Sequence, residues 1–412
     1  MEHQETIFVD LDLGSIVKLL CSNAKRGLAA CYSEGSDSLP DTCMLADNNA
    51  HKLVGSSIRY AIISQIGIAE WLKTHPEDKE YLPNPCPKIA DNHHKITHIG
   101  DSDDGKAVVL SETDRNIVQS MLATSAVLFK RGDFKAKAGR FDETSFWLLG
   151  NEGREKFNAL SAEPGVNRKA FEQGGYYILS GSKETKVKAI FDCGPLGFGP
   201  ISAHGHADSL SFVLDVHGLP FFIDPETYTY QANNPFREYF RSTAAHNTVV
   251  VDGQDQSQMA GPFLWGNKAN SYLEEYKSEP VFDRVIGRHH GYTRLEDPVV
   301  HRRSIEVNKE QDIVEITDTL EAAATHNIAI YFHLSPQCSV KILDTNRWYI
   351  TNGNKKVELI TDARLDSEII SGSENPLMGW ASKGYDYKQP TNTLICKGSF
   401  TGRQSFITRI KL

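Results

Sequence analysis

From Tyr176 to the last residue, the apolar side chains of this chain recur at every second position, in run after run. The runs include YYILSG at 176–181, KVKAIFDCG at 186–194, SLSFVLDVHG at 209–218, TVVVDG at 248–253 and RSIEVN at 303–308. DIVEITDTL at 312–320, NIAIYFHLS at 327–335, KVELIT at 356–361 and SFITRIKL at 405–412 complete the pattern. Successive side chains of a strand point to opposite faces, so this spacing buries one face and wets the other. Many such runs separated by turn residues predict a large antiparallel β-sandwich. From Tyr176 onward the period of two is kept to the last residue.

Before Tyr176 the period is helical. Ile16, Leu19, Leu20 and Ala24 share a face within 13–31. A second helix is expected from about Asn49 to Thr74, with Val54, Ile58, Ile62, Ile66 and Ala69 on one side and Tyr60 on the same element. A third is expected from Glu112 to Lys130, and a short one over Asp142–Leu149. The polar, Gly-containing segment SAEPGVNRKAFEQGG at 161–175 is the natural boundary. The expected class is therefore α+β multidomain: a helical domain over 1–165, then an antiparallel β-sandwich domain over 166–412.

The bulk numbers limit the partners. A net charge of −9 argues against a nucleic-acid partner held by general attraction to phosphate. It leaves room for an acidic polymer bound in a local basic cleft. Seven scattered cysteines without a CxxC suggest neither a disulfide framework nor a cysteine zinc site. The opening MEHQETIFVDLDLG has no signal-peptide pattern, and no run approaches the ~20 apolar residues of a membrane span. A soluble chain without membrane insertion is expected, and its composition leaves room for a homodimer.

Chemistry concentrates between Ile201 and Asp255. His204, His206 and Asp208 fall at alternate positions ahead of an apolar strand, which would put all three on one face. The strand LPFFID ends in Asp224, and HNTVVVDG begins with His246. Three segment ends can thus converge two imidazoles and a carboxylate, a set that suits zinc with one imidazole to spare. An HxH pair alone is equally the mark of ordinary polar residues at a strand mouth. Between Asp224 and His246, Arg237 and Arg241 offer forked donors suited to carboxylate or sulfate. Tyr228, Tyr230 and Tyr239 could stack on sugar rings, although a solvated loop with salt bridges reads as well for each. The run GDSDDG at 100–105 lacks the oxygen and glycine spacing of a calcium loop.

HGHADSLSF, FFIDP and YFRSTAAHNTVVVDG resemble the heparinase II/III-like polysaccharide lyases. The resemblance extends to IGDSDDG at 99–105, LATSAVLFKRGDFK at 122–135 and GWASKGYDYKQP at 379–390, and so covers roughly 99–412. It implies an (α/α) toroid of helical hairpins followed by the sandwich. Residues 1–165 are too few for the whole toroid, so a truncated, split or divergent member is expected. It also implies β-elimination on a uronic-acid polysaccharide, with members often periplasmic or exported. Metal ligation maps onto His206, Asp224 and His246, holding a structural Zn2+ whose imidazoles Asp208 or Asn247 would support. The cleft histidine that acts on substrate maps onto His204, with Arg241, Arg237 and Tyr239 as candidate substrate contacts. The toroid tyrosine has no secure counterpart, and Tyr60 is the candidate. A carbohydrate-binding or polysaccharide-processing protein that keeps the zinc-bearing sandwich without catalysis is the rival from another class. The carboxylates of GDSDDG are expected at the join of the helical and sandwich parts.

Overall fold

The computed structural model describes residues 43–47, 50–54, 99–101, 117–163, 169–172, 174–197 and 201–412. The chain divides into two compact units, Met1–Thr97 with Val109–Asn167, and His98–Val108 with Arg168–Leu412. The short stretch carrying IGDSDDG thus groups with the second unit, although it lies inside the span read as helical.

In the first unit, helix α1 (Ile117–Phe129) is followed by α2 (Gly132–Ala138) and α3 (Glu143–Ala159). Ala123 and Ala126 of α1, Phe134 and Ala138 of α2 and Phe157 of α3 form its described core. The Asp142 carboxylate accepts from Ser145 N at 2.9 Å, satisfying one of the amides left open at the start of α3. That helix continues past the expected end at Leu149, across a break at Gly150 with φ 64°. Glycine takes that conformation without the cost of a Cβ, so the chain resumes its helix where a stop was expected.

The expected helix over Asn49–Thr74 is corrected where it is described. Ala50–Val54 is a strand paired antiparallel with Cys43–Asp47, in the register Asp47↔Ala50 to Cys43↔Val54. Its amides bond to a neighbouring strand, a context that overrides helical spacing in so short a segment. The expected helix at 13–31, the rest of the span to Thr74, and Tyr60 all lie outside the described residues.

The second unit is two layers of antiparallel sheet. Among the described residues the larger sheet has ten strands and the smaller five. Ser271–Ser278, Phe282–His289 and Val300–Asn308 form a meander that leads into Ile313–His333, which pairs in turn with Asn392–Lys411. The smaller sheet runs in order through Tyr176–Ser180, Lys188–Asp192, Phe212–Val216 and Leu219–Phe222, with Ala170–Phe171 at its edge. Alternation is literal here, since in Val300–Asn308 every second residue is buried. Leu179, Phe191, Phe212 and Leu214 of the small sheet share one core with Val285, Ile305, Val314 and Ile316 of the large one. Each such side chain contributes ~1.5–3 kcal/mol relative to exposure. Among the described residues no helix is long and apolar enough to cross a membrane.

The two runs read as separate strands at 312–320 and 327–335 are one strand, Ile313–His333. The intervening AAAT holds no turn residue, and the strand bends through a register shift between Ala322 and Thr325. His326 pins that bend. Its Nδ1 meets Asp252 at 2.6 Å and its Nε2 meets Asp297 at 2.9 Å. The same carboxylates accept from Asn327 N and Ala324 N. Burial alone would lower the His326 pKa, but the two carboxylates outweigh it and raise the group. A raised histidine stabilises the fold fully below its unfolded value of about 6.5 and loses that contribution as pH rises through the folded one. Wild type should therefore exceed His326→Ala in thermal midpoint most at mildly acidic pH, with the gap closing toward alkaline pH. A gap that widens on going alkaline would refute the double ion pair.

Candidate active and metal site

His206, Asp224 and His246 come together, each offering a ligand atom within 4.8 Å of the others. All three are buried, and the two imidazole centroids lie 5.2 Å apart. Asp224 follows the strand Leu219–Phe222, and His246 sits between the short turn Thr243–Ala245 and the strand Val249–Val251. His206 and His204 occupy an irregular loop, because the strand expected to carry them begins only at Phe212. His204 itself has φ 59°. The glycine between the histidines is required by a close approach, since a Cβ on Gly205 would stand 2.9 Å from Gly197 N.

Each imidazole is tied on one side. His246 Nδ1 bonds Asp224 Oδ2 at 2.9 Å, and His206 Nε2 bonds Asp101 Oδ1 at 2.8 Å. Asp224 also accepts from Glu226 N at 2.9 Å and Gly100 N at 3.3 Å. Burial pushes the Asp224 carboxyl up, but His246 outweighs it and the group is lowered. Burial pushes His246 down, and Asp224 reverses that. The remaining nitrogens, His206 Nδ1 and His246 Nε2, are buried without any hydrogen-bond partner among the described residues. An orphaned buried nitrogen costs ~1–3 kcal/mol, so two beside a carboxylate suit a cation as their partner. The residues present suit a metal ion.

The supports expected from Asp208 or Asn247 come instead from Asp101 and Asp224. The Asn247 side chain donates to Phe212 O at 2.7 Å and Ile223 O at 2.9 Å, and accepts from His333 N at 2.6 Å. It staples three strand ends together directly beside His246. Burial pushes the Asp208 carboxyl up.

His204 stands at the surface, with its side chain 47% exposed. Its Nδ1 bonds Asp101 Oδ2 at 3.0 Å. The rings of Tyr230 and Phe263 meet it edge-on at 5.8 and 5.6 Å, and Tyr385 packs on Tyr230 at 5.1 Å. Phe263 and Tyr385 are exposed, giving an aromatic shelf next to an accessible imidazole.

Arg237, Arg241 and Tyr239, expected at the substrate, are interior instead. Helix α4 (Pro235–Arg241) is capped by Asn234, whose side chain accepts from Phe236 N at 3.0 Å. Four residues apart on one helical face, both arginines turn inward and are 1% exposed. Arg237 grips Asp101 with two bonds of 2.6 and 3.0 Å. Arg241 donates to Gly261 O at 2.9 Å and lies over the Trp265 ring at 4.4 Å. Its Nε and Nη2 are buried and unpartnered, and burial with the Arg237 charge brings its pKa down to about 10. Tyr239 is enclosed as well, its hydroxyl accepting from Gly379 N at 3.2 Å and Trp380 N at 3.4 Å.

The residue that sequence reasoning passed over is Asp101. Burial pushes its carboxyl up, but hydrogen bonds from His204, His206 and Arg237 outweigh this and hold it far below the ordinary range. A carboxylate from the stretch read as an interface loop thus stands between the surface histidine and the buried one. Its run of acidic residues was the available signal, without anything to distinguish Asp101 from Asp103 or Asp104, which lie outside the described residues.

Known proteins share the fold that carries this site. A curated heparin-sulfate lyase from Bacteroides thetaiotaomicron is 26% identical over 234 residues, 53% of this chain and 30% of that protein. A crystal structure of a heparan sulfate lyase from Pedobacter heparinus matches with a TM-score of 0.64 at 15% identity, covering 99% of this chain and 60% of that one. A second structure, a heparinase III, matches with a TM-score of 0.58 at 15% identity, over 85% of this chain and 48% of that one. The chain spans less than two thirds of each of these relatives. The model of the Heparinase II/III-like, C-terminal family matches residues 163–410, and the chain belongs to that family.

Proposed function

We propose that this chain is a polysaccharide lyase, or the cleft-bearing part of one, that cleaves a uronic-acid glycosaminoglycan by β-elimination. The observation that carries the reading is the exposed His204, oriented by Asp101 beside an aromatic shelf. With Nδ1 occupied by the carboxylate, the ring offers Nε2 to a sugar. Elimination removes the proton at C5, forms the C4–C5 double bond and breaks C4–O4, with the departing oxygen taking up a proton. His204 Nε2, the nitrogen left with the lone pair, serves as the base at the C5 proton, where a positioned base accelerates such a step by about a hundredfold to ten-thousandfold. Tyr230 and Phe263 supply apolar faces for the pyranose ring. Arg237 acts through Asp101 rather than on the sugar, and Tyr239 through packing. The proton donor to O4 is assigned to the N-terminal part, read as a partial (α/α) toroid over 1–165 ahead of the sandwich at 166–412, with Tyr60 its candidate.

His206, Asp224 and His246 would hold a structural Zn2+. Bound there, the ion would cross-link three segment ends below the shelf and leave no reacting atom to the metal. Elemental analysis of undialysed protein should give one zinc per chain, lost in Asp224→Ala; no stoichiometric metal would overturn this assignment.

Incubation with heparan sulfate, heparin, hyaluronan and alginate, followed by ultraviolet absorbance of the unsaturated uronate, tests the reaction. Product from a glycosaminoglycan is expected. Binding without product would favour the carbohydrate-binding alternative, and neither would sink both.

A further inference from the structure

Asp101 reaches two histidines with one carboxylate. Its Oδ1 accepts from His206 Nε2 at 2.8 Å, Arg237 Nη1 at 2.6 Å and Thr227 Oγ1 at 2.9 Å. Its Oδ2 meets His204 Nδ1 at 3.0 Å and Arg237 Nη2 at 3.0 Å. The side chain is 2% exposed and gripped by both prongs of a buried guanidinium. Such a carboxylate is ionised and can only accept, so both imidazoles must donate to it.

The consequence differs for the two rings. His204 carries its proton on Nδ1, leaving the Nε2 lone pair for the outside. His206 carries its proton on Nε2, leaving the lone pair on Nδ1, the buried nitrogen with no partner beside Asp224 and His246. The same acid thus prepares one imidazole to act at the surface and the other to bind a cation. We propose that Asp101 is the positioning residue that fixes both tautomers, holding the surface imidazole and the metal-binding imidazole in register through one carboxylate. The inference rests on the reading of His204 and of the ligand set given above.

The geometry predicts what Asp101→Asn does. Three donors converge on Oδ1, so the amide oxygen must take that place. The amide nitrogen is then left at Oδ2, where it donates to His204 Nδ1 while Arg237 Nη2 gives up its bond there and keeps Pro262 O as acceptor. His204 is forced into the opposite tautomer, with its proton on Nε2, while His206 keeps its own. A histidine held in the wrong tautomer costs about ten-thousandfold in a well-studied triad of another enzyme class.

The test is nitrogen NMR of histidine-labelled, metal-loaded full-length chain at alkaline pH, with His204 identified by its absence from the His204→Asn spectrum. Wild type should show the Nδ1–H form at His204, and D101N the Nε2–H form, with the metal-to-protein ratio unchanged and kcat lowered about a thousandfold or more. A wild-type His204 protonated on Nε2 would overturn the proposal even if D101N does not fold, and so would a folded D101N with an unchanged tautomer. Loss of metal from folded D101N would overturn the claim that His206 keeps its tautomer. Absence of lyase activity in wild type would fail the functional reading alone, because the spectra decide the tautomers without substrate.

Discussion

His204→Ala is expected to lower kcat/KM for the proposed glycosaminoglycan elimination by about a thousandfold, with the metal-to-protein ratio and thermal midpoint close to wild type. The expectation combines three properties of the ring. Its side chain is 47% exposed, so truncation creates no core cavity. Its partner Asp101 keeps the two Arg237 bonds, the Thr227 bond and the His206 bond, so the carboxylate is not stranded. It is absent from the converging ligand group, so the cation site loses nothing directly. Activity and metal should therefore separate in this variant, whereas Asp224→Ala should lose metal. Loss of metal from His204→Ala would reassign the ring to the ligand shell. A rate near wild type would remove it from the reaction.

The outline of this arrangement was legible in the sequence because its signals are local. Period-two alternation is a property of each strand taken alone, and it marked 303–308 within Val300–Asn308 and 405–412 at the end of Asn392–Lys411, while passing over Phe282–His289, which alternates as well. It failed for Ser271–Ser278, an edge strand whose residues are all exposed or half-buried and carry no alternation to read. That two imidazoles and a carboxylate converge was legible because each flanks an apolar run, whereas the choice of His206 over His204 beside Asp224 and His246 came from the family resemblance. What escaped were roles fixed by partners distant in the chain. Arg237 and Arg241 look like surface cations until the cap at Asn234 turns α4 inward onto Asp101 and Trp265. Asp101 is 103 residues from His204, and nothing within IGDSDDG indicates which carboxylate folds inward.

Arg303→Ala destabilises the sandwich unit by ~3–5 kcal/mol, the range for stranding one partner of a buried ion pair. Arg303 is completely buried, and its guanidinium holds Asp318 through bonds of 2.7 and 3.0 Å. Burial pushes the Asp318 carboxyl up, but the Arg303 charge and the His301 bond prevail and bring it down to about 2. The pair thus stabilises the fold above the ordinary aspartate value of about 3.9, and that contribution fades as pH falls toward about 2. Directionality extends the damage. Gly291 N donates to His289 Nδ1 at 3.1 Å, so His289 Nε2 donates to His301 Nδ1 at 3.1 Å, and His301 Nε2 to Asp318 at 2.7 Å. Burial lowers the pKa of both histidines, which keeps them neutral and leaves Arg303 the cation opposing Asp318 in this chain of bonds. The other arm of Arg303 donates to Leu210 O at 2.9 Å and to Asn247 O at 2.5 Å, next to His246 of the candidate metal site. Removing it therefore loosens the backbone that presents His246 as well as the core. Replacing Arg303 by Met and Asp318 by Leu together should cost less than Arg303→Ala alone, since no buried charge remains. It should still cost ~1–3 kcal/mol for the unpaired His301 Nε2–H. Urea midpoints followed by the circular dichroism of the sheets, together with metal retention under a chelator, read both effects. A single variant within 1 kcal/mol of wild type, or a double variant worse than the single, would show that this buried pair does not hold the site's foundation.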